Sequence, residues 1–230
     1  MALPQVVRYT KKVYIPSLDR EVDFEPFTTA DEKAIILLDQ GASQYEKVKL
    51  QCDIISKCCR ETDINFYKMS VVELSYIFLQ LRKISVGGTL DLNFTCPECG
   101  TEMPISLNID LIKFDREKLK DLTLDLNTVE GPYIIKCSHI IPEDLKYITS
   151  DESKFTDVAV ILRTMYKSDG NNIIELTYDE KIELFEQLDA SMAERMVKYV
   201  QEGPTLVHDL TISCPECGKE IKTRLQDFFI

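Results

Sequence analysis

The chain has 230 residues, 44% of them hydrophobic, enough for one large domain or two small ones with an ordinary core. Its formal charge of −12, from 27 basic against 39 acidic residues, disfavours nucleic acid or an anionic membrane as the main partner. No apolar run approaches the ~18 residues of a membrane span. The start Met1-Ala2-Leu3-Pro4-Gln5 lacks the charged-then-apolar pattern of a secretory signal, so a cytoplasmic protein is expected.

Residues 6–27 read as a β-hairpin. Val6, Val7 and Tyr9 lead into Val13, Tyr14 and Ile15, Pro16-Ser17-Leu18-Asp19 supplies the turn, and Val22, Phe24 and Phe27 follow. Arg8, Lys11, Lys12 and Arg20 make this end locally basic. Thr28 or Thr29 caps a helix carrying Ala34, Ile35, Leu37 and Leu38, which stops at Gln40-Gly41. A second helix runs from Ser43 towards Cys59. A third follows Ser70 and ends at Gly87-Gly88; its wide apolar stripe predicts burial on most sides.

Leu90, Leu92 and Phe94 begin a strand, CPECG follows, and Met103, Ile105, Leu107 and Ile109 continue in extended spacing. Two further strands are expected around residues 122–126 and 133–140, joined by Glu130-Gly131-Pro132, then a helical turn at Pro142. Phe155, Val158, Ile161, Leu162 and Met165 suggest a helix ending near Asp169-Gly170. Thr177 caps the next helix, another covers residues 191–201, and strand, CPECG and strand complete the chain. The expected class is α+β: an N-terminal β-hairpin, about six helices, and two distant CPECG hairpins at residues 89–110 and 205–226. The expected division is residues 1–69 and 70–230.

Aligning residues 91–108 with 209–226 gives nine identities in eighteen positions, which marks two equivalent hairpins. Each has the chemistry of a metal knuckle. Two residues between cysteines let one turn aim both thiolates at one ion. Pro97 and Pro215 fix φ at the first intervening position, and Gly100 and Gly218 suit the left-handed exit. One knuckle gives two ligands and a structural zinc takes four. The simplest closure is therefore Cys96, Cys99, Cys214 and Cys217 around one Zn2+, a split zinc ribbon. The 114 residues between Cys99 and Cys214 exceed the usual ribbon span. Loop entropy grows only logarithmically, adding roughly 2 kcal/mol over a ~15-residue loop. A structural zinc contributes ~10 kcal/mol or more, so closure wins. A homo-oligomer in which each knuckle meets a partner's satisfies the same ligand count.

Other chemistries fit less well. A redox CxxC opens a helix after a strand, whereas glycine and a second strand follow here. A nucleic-acid-binding ribbon or transcription accessory protein is the rival reading, but neither hairpin is basic overall. His208 stands six strand residues before Cys214, too far to join the same ion. Cys137 and His139 lack a further pair of ligands, and Cys52, Cys58 and Cys59 read as core residues. No nucleotide-binding, hydrolase or metalloprotease motif is present, so no catalytic residue is assigned.

Two segments go beyond generic knuckle patterning: YIFLQLRKISVGGTLDLNFTCPECGTEMPISLNIDLIKF and MVKYVQEGPTLVHDLTISCPECGKEIKTRLQDFFI. Leu81, Arg82 and Ser85 lead to the first knuckle, a helix and Pro204 precede the second, and Phe228-Phe229 stand near the end. In these features the chain resembles the baseplate hub and hub-assembly proteins of T4-like contractile-tailed bacteriophages. The resemblance implies a non-enzymatic structural role exercised through other baseplate, hub or tail-assembly proteins. It also implies assembly in the host bacterial cytoplasm and a place in the virion tail baseplate.

Overall fold

The structure, a computed structural model, describes residues 6–38, 41–148, 158–168, 170 and 172–226. The chain forms two compact units. One comprises Met1–Phe66, Val72–Arg116 and Thr205–Ile230; the other comprises Tyr67–Val71 and Glu117–Pro204. Every strand pair is antiparallel.

The first unit opens with the hairpin β1 (Lys11–Ile15) and β2 (Arg20–Phe24). The 3-10 turn Pro16–Leu18 joins them, and Asp19 closes it at φ 53. The strand signal at residues 6–9 is not used: Val6, Val7 and Tyr9 are exposed and lack regular structure. Inward-facing Val13, Ile15, Val22 and Phe24 are all buried, as a period of two requires. Helix α1 is Thr29–Leu38 and helix α2 is Gln44–Cys58. The Ser43 hydroxyl accepts the Glu46 backbone N–H at 3.3 Å, and Glu46 Oε2 accepts the Ser43 N–H at 2.8 Å. This capping box satisfies two N-terminal groups of α2 at once. Ser43→Ala is expected to cost ~1 kcal/mol, read as a fall of roughly 2–4 °C in the far-UV melting temperature.

Helix α3 (Val71–Ser85) is the core element of this unit. Leu74, Ile77, Leu79 and Leu81 are fully buried, and Phe78 stacks with Phe27 at 6.3 Å. Glu73 is buried as well; its carboxylate accepts the Ser17 N–H at 2.7 Å, tying α3 to the β1–β2 turn. Positive φ at Gly87 ends the helical run. The hairpin β3 (Thr89–Thr95) and β4 (Glu102–Asn108) follows, then β5 (Lys113–Phe114). Strand β5 pairs with β10 (Leu206–Ser213), which pairs with β11 (Glu220–Gln226). Leu79, Leu90, Leu107, Ile109, Ile112 and Leu206 form the core under these hairpins.

The second unit holds a four-stranded sheet, β6 (Leu122–Thr128), β7 (Gly131–Cys137), β8 (Leu162–Lys167) and β9 (Ile174–Glu175). Helices α4 (Tyr178–Gln187) and α5 (Ala190–Gln201) pack on its core of Leu124, Ile135, Cys137, Leu162 and Met196. The helix expected through Phe155, Val158, Ile161, Leu162 and Met165 is corrected here. Phe155 lies outside the described residues; among the described residues of this stretch only Val158 and Ala159 are helical, and Leu162 begins strand β8. The run from Val158 through Leu162 is buried throughout. Such a run fits a buried helix or a buried strand equally, and the ladder with β7 decides for the strand. The described residues thus contain five α-helices of at least ten residues, where about six were expected. The turn expected at Pro142 is the 3-10 helix Pro142–Lys146. Among the described residues, no helix is long and apolar enough to cross a membrane.

Candidate metal centre

The two CPECG turns fold alike. Gly100 donates its N–H to the Cys96 carbonyl at 2.9 Å, and Cys96 donates its own to the Thr101 carbonyl at 2.9 Å. In the second turn Gly218 donates to Cys214 at 3.0 Å and Cys214 to Lys219 at 2.9 Å. Gly100 sits at φ 73 and Gly218 at φ 69, conformations that disfavour a Cβ. The flanking ladders share one register under a shift of 118 residues: Thr95 faces Glu102 as Ser213 faces Glu220, and Asp91 faces Ser106 as Asp209 faces Arg224. The equivalence visible in the sequence is therefore an equivalence of backbone.

The hairpins meet at their turn ends. Phe94, Met103, Ile105, Ile212 and Ile221 pack around the buried Cys96 and Cys214, while Cys99 and Cys217 are exposed. All four sulfurs lie within 4.8 Å of one another. Cys96 Sγ is 3.8 Å from Cys217 Sγ, and Cys99 Sγ is 3.6 Å from Cys214 Sγ. A tetrahedral site with Zn–S near 2.3 Å has S···S edges of roughly 3.8 Å, so the donor set has the size and chemistry of a four-thiolate metal site. The sulfurs come from one chain, without a partner's knuckle.

Electrostatics point the same way. The hydroxyl and backbone N–H of Thr101 draw the Cys99 thiol down to about 6. Cys217 moves the opposite way, to about 12: the Lys219 backbone N–H favours its thiolate, but lost hydration and the neighbouring sulfurs outweigh it. Thiols this close resist ionising together, because each thiolate opposes the next. A divalent cation at the centre removes that conflict. Across the hairpins Lys219 Nζ lies 3.3 Å from Glu98 Oε1, a partly exposed ion pair linking the two tips.

The remaining cysteines and His139 stand apart from this cluster. Cys52, Cys58 and Cys137 are buried, and burial pushes their thiols up to about 12, 11 and 12 respectively, the state of inert core cysteines. His139 stacks on Tyr199 at 4.4 Å, and its Nε2 lies 2.7 Å from the Lys118 carbonyl. The His208 side chain and Phe228-Phe229 lie outside the described residues. Sequence reasoning passed over Thr101 and the Glu98–Lys219 pair. Thr101 and Lys219 carried one signal, the place after each knuckle glycine, where the two copies differ; Glu98, repeated as Glu216, carried none.

No curated protein and no solved structure matches the chain. The model of the family described as T4 bacteriophage base plate protein matches residues 6–230, nearly the whole sequence, and the chain belongs to that family.

Proposed function

We propose that this chain is a non-enzymatic structural protein of the phage tail baseplate, acting in or on its hub, with one Zn2+ as an internal staple. Cys96, Cys99, Cys214 and Cys217 are the ligands, and the two hairpins they join form a split zinc ribbon. The observation that carries the zinc reading is the convergence of four sulfurs from two distant hairpins to within 4.8 Å. The family match carries the baseplate reading.

A full set of four sulfur ligands leaves no open position for water or substrate, which suits a structural ion rather than a hydrolytic one. Four thiolates and one divalent ion change the net charge by −2, so the loaded protein is more acidic than its formal −12. That sign favours protein partners over nucleic acid. The partners are other baseplate, hub or tail-assembly proteins, met in the host cytoplasm during assembly and carried into the virion tail.

Native mass spectrometry of protein purified without chelator tests the metal: one zinc per chain is expected, and a metal-free mass overturns the staple. Immunodetection in purified tail baseplates and in their assembly intermediates tests the role. Absence from both overturns it.

A further inference from the structure

The knuckles share a backbone and differ in one adjoining side chain. The residue after the glycine is Thr101 in the first and Lys219 in the second. Cys99 Sγ lies 3.2 Å from the Thr101 hydroxyl and also receives the Thr101 backbone N–H. Cys217 receives the equivalent backbone N–H from Lys219, whose ammonium turns instead to Glu98. Of the two exposed ligand candidates, and apart from the neighbouring sulfurs, Cys99 thus has a side-chain hydroxyl beside it and Cys217 has only a backbone donor among the described contacts.

Resting on the metal-centre reading above, we propose that Thr101 is a positioning residue for the metal. Its hydroxyl donates to the Cys99 thiolate and makes the first knuckle the anchoring half of the site. A bare thiol can itself donate to the hydroxyl oxygen. Once the sulfur is a metal-bound thiolate it has no proton, so the hydroxyl becomes the donor and the bond is charge-assisted. That bond fixes the direction of the exposed Cys99 side chain, which packing does not hold. It also withdraws charge from one of four crowded thiolates. Partners that orient metal ligands in this way are worth about 10–100-fold in metal affinity. Lys219 offers Cys217 no such hydroxyl, and valine in place of Thr101 keeps the shape while deleting the donor.

Cobalt(II) titration of the full chain, followed by its visible and thiolate-to-metal charge-transfer absorption, tests this. Thr101→Val is expected to bind cobalt about 10–100-fold more weakly than wild type. Its charge-transfer band should move to lower energy, because a thiolate without the hydrogen bond is easier to oxidise. Thr101→Ser, which restores the hydroxyl, should return both readouts close to wild type. The proposal is overturned if Thr101→Val matches wild type in affinity and band position, or if Thr101→Ser behaves like Thr101→Val. Wild-type protein lacking a tetrahedral thiolate spectrum overturns the metal-centre reading itself, an outcome distinct from any failure of Thr101.

Discussion

Cys214→Ser is expected to release the metal and lower the melting temperature by roughly 10–20 °C, the shift that about 5 kcal/mol produces in a chain of this size. Cys214 is 2% exposed, at the contact between the two hairpins. Serine at this site removes a thiolate and leaves a small buried hydroxyl. Structural zinc sites contribute ~10–16 kcal/mol to isolated fingers. The loss here is smaller, because α3 and the core around Leu107 and Leu206 remain. The β10–β11 end of the unit should loosen first, since little besides Phe94, Met103, Ile105, Ile212 and Ile221 packs beside the sulfurs. Adding a strong chelator to wild type should give the same lowered transition and should not lower that of Cys214→Ser further. Cys58→Ala, in the core and remote from the cluster in sequence, should retain its zinc. A wild-type transition indifferent to chelator would falsify the staple.

Asp144→Ala should destabilise the second unit by ~3–5 kcal/mol, the cost of stranding a buried charge. Asp144 is buried, with its two oxygens accepting from Arg163 at 2.9 and 2.6 Å. Lys181 Nζ lies 3.6 Å from the same carboxylate, which also accepts the Ile141 N–H at 2.9 Å. Arg163 spends its other donors on Ser138 Oγ and on the carbonyls of Val160 and His139. One carboxylate therefore balances two largely buried cations and fixes the 3-10 turn and strand β8 at the same point. Alanine removes the one carboxylate that pairs with both cations among the described residues. Asp144→Asn keeps the shape and part of the hydrogen bonding, so its loss should be intermediate. Urea unfolding of the full chain measures the series. A change below ~1 kcal/mol for Asp144→Ala would show that solvent reaches and screens the cluster.

The knuckles were readable from the sequence because their geometry demands particular residues at each place: cysteines two apart, proline after the first, glycine after the second. Helices α2 and α3 were readable because Ser43 and the apolar stripe from Val71 to Leu81 are local signals. Strand β8 was not. Its residues are apolar enough for either element, and the ladder that selects a strand is contributed by Tyr133 through Cys137, some thirty positions earlier. The Arg163–Asp144 cluster was hidden for a related reason: nothing near Arg163 in the sequence announces a carboxylate nineteen residues upstream. Thr101 was in plain view, yet its meaning depends on a 3.2 Å approach that no spacing rule encodes.

The placement of Glu117–Pro204, the main part of the second unit, inside the sequence separating the knuckles sets an order of events during translation. At ~5–20 residues per second, a ribosome needs roughly 6–24 s to extend from Cys99 to Cys217, 118 positions later. Throughout that interval the early pair of sulfurs has no native counterpart on its own nascent chain. All residues of the sheet β6–β9 and of helices α4 and α5 are synthesised before the late pair exists, so that inserted unit can mature while the ribbon waits. If the pairs share a zinc ion as proposed, the waiting pair is also the point at which neighbouring nascent chains on a crowded polysome can cross-link, and zinc supply then bears on how cleanly the protein matures.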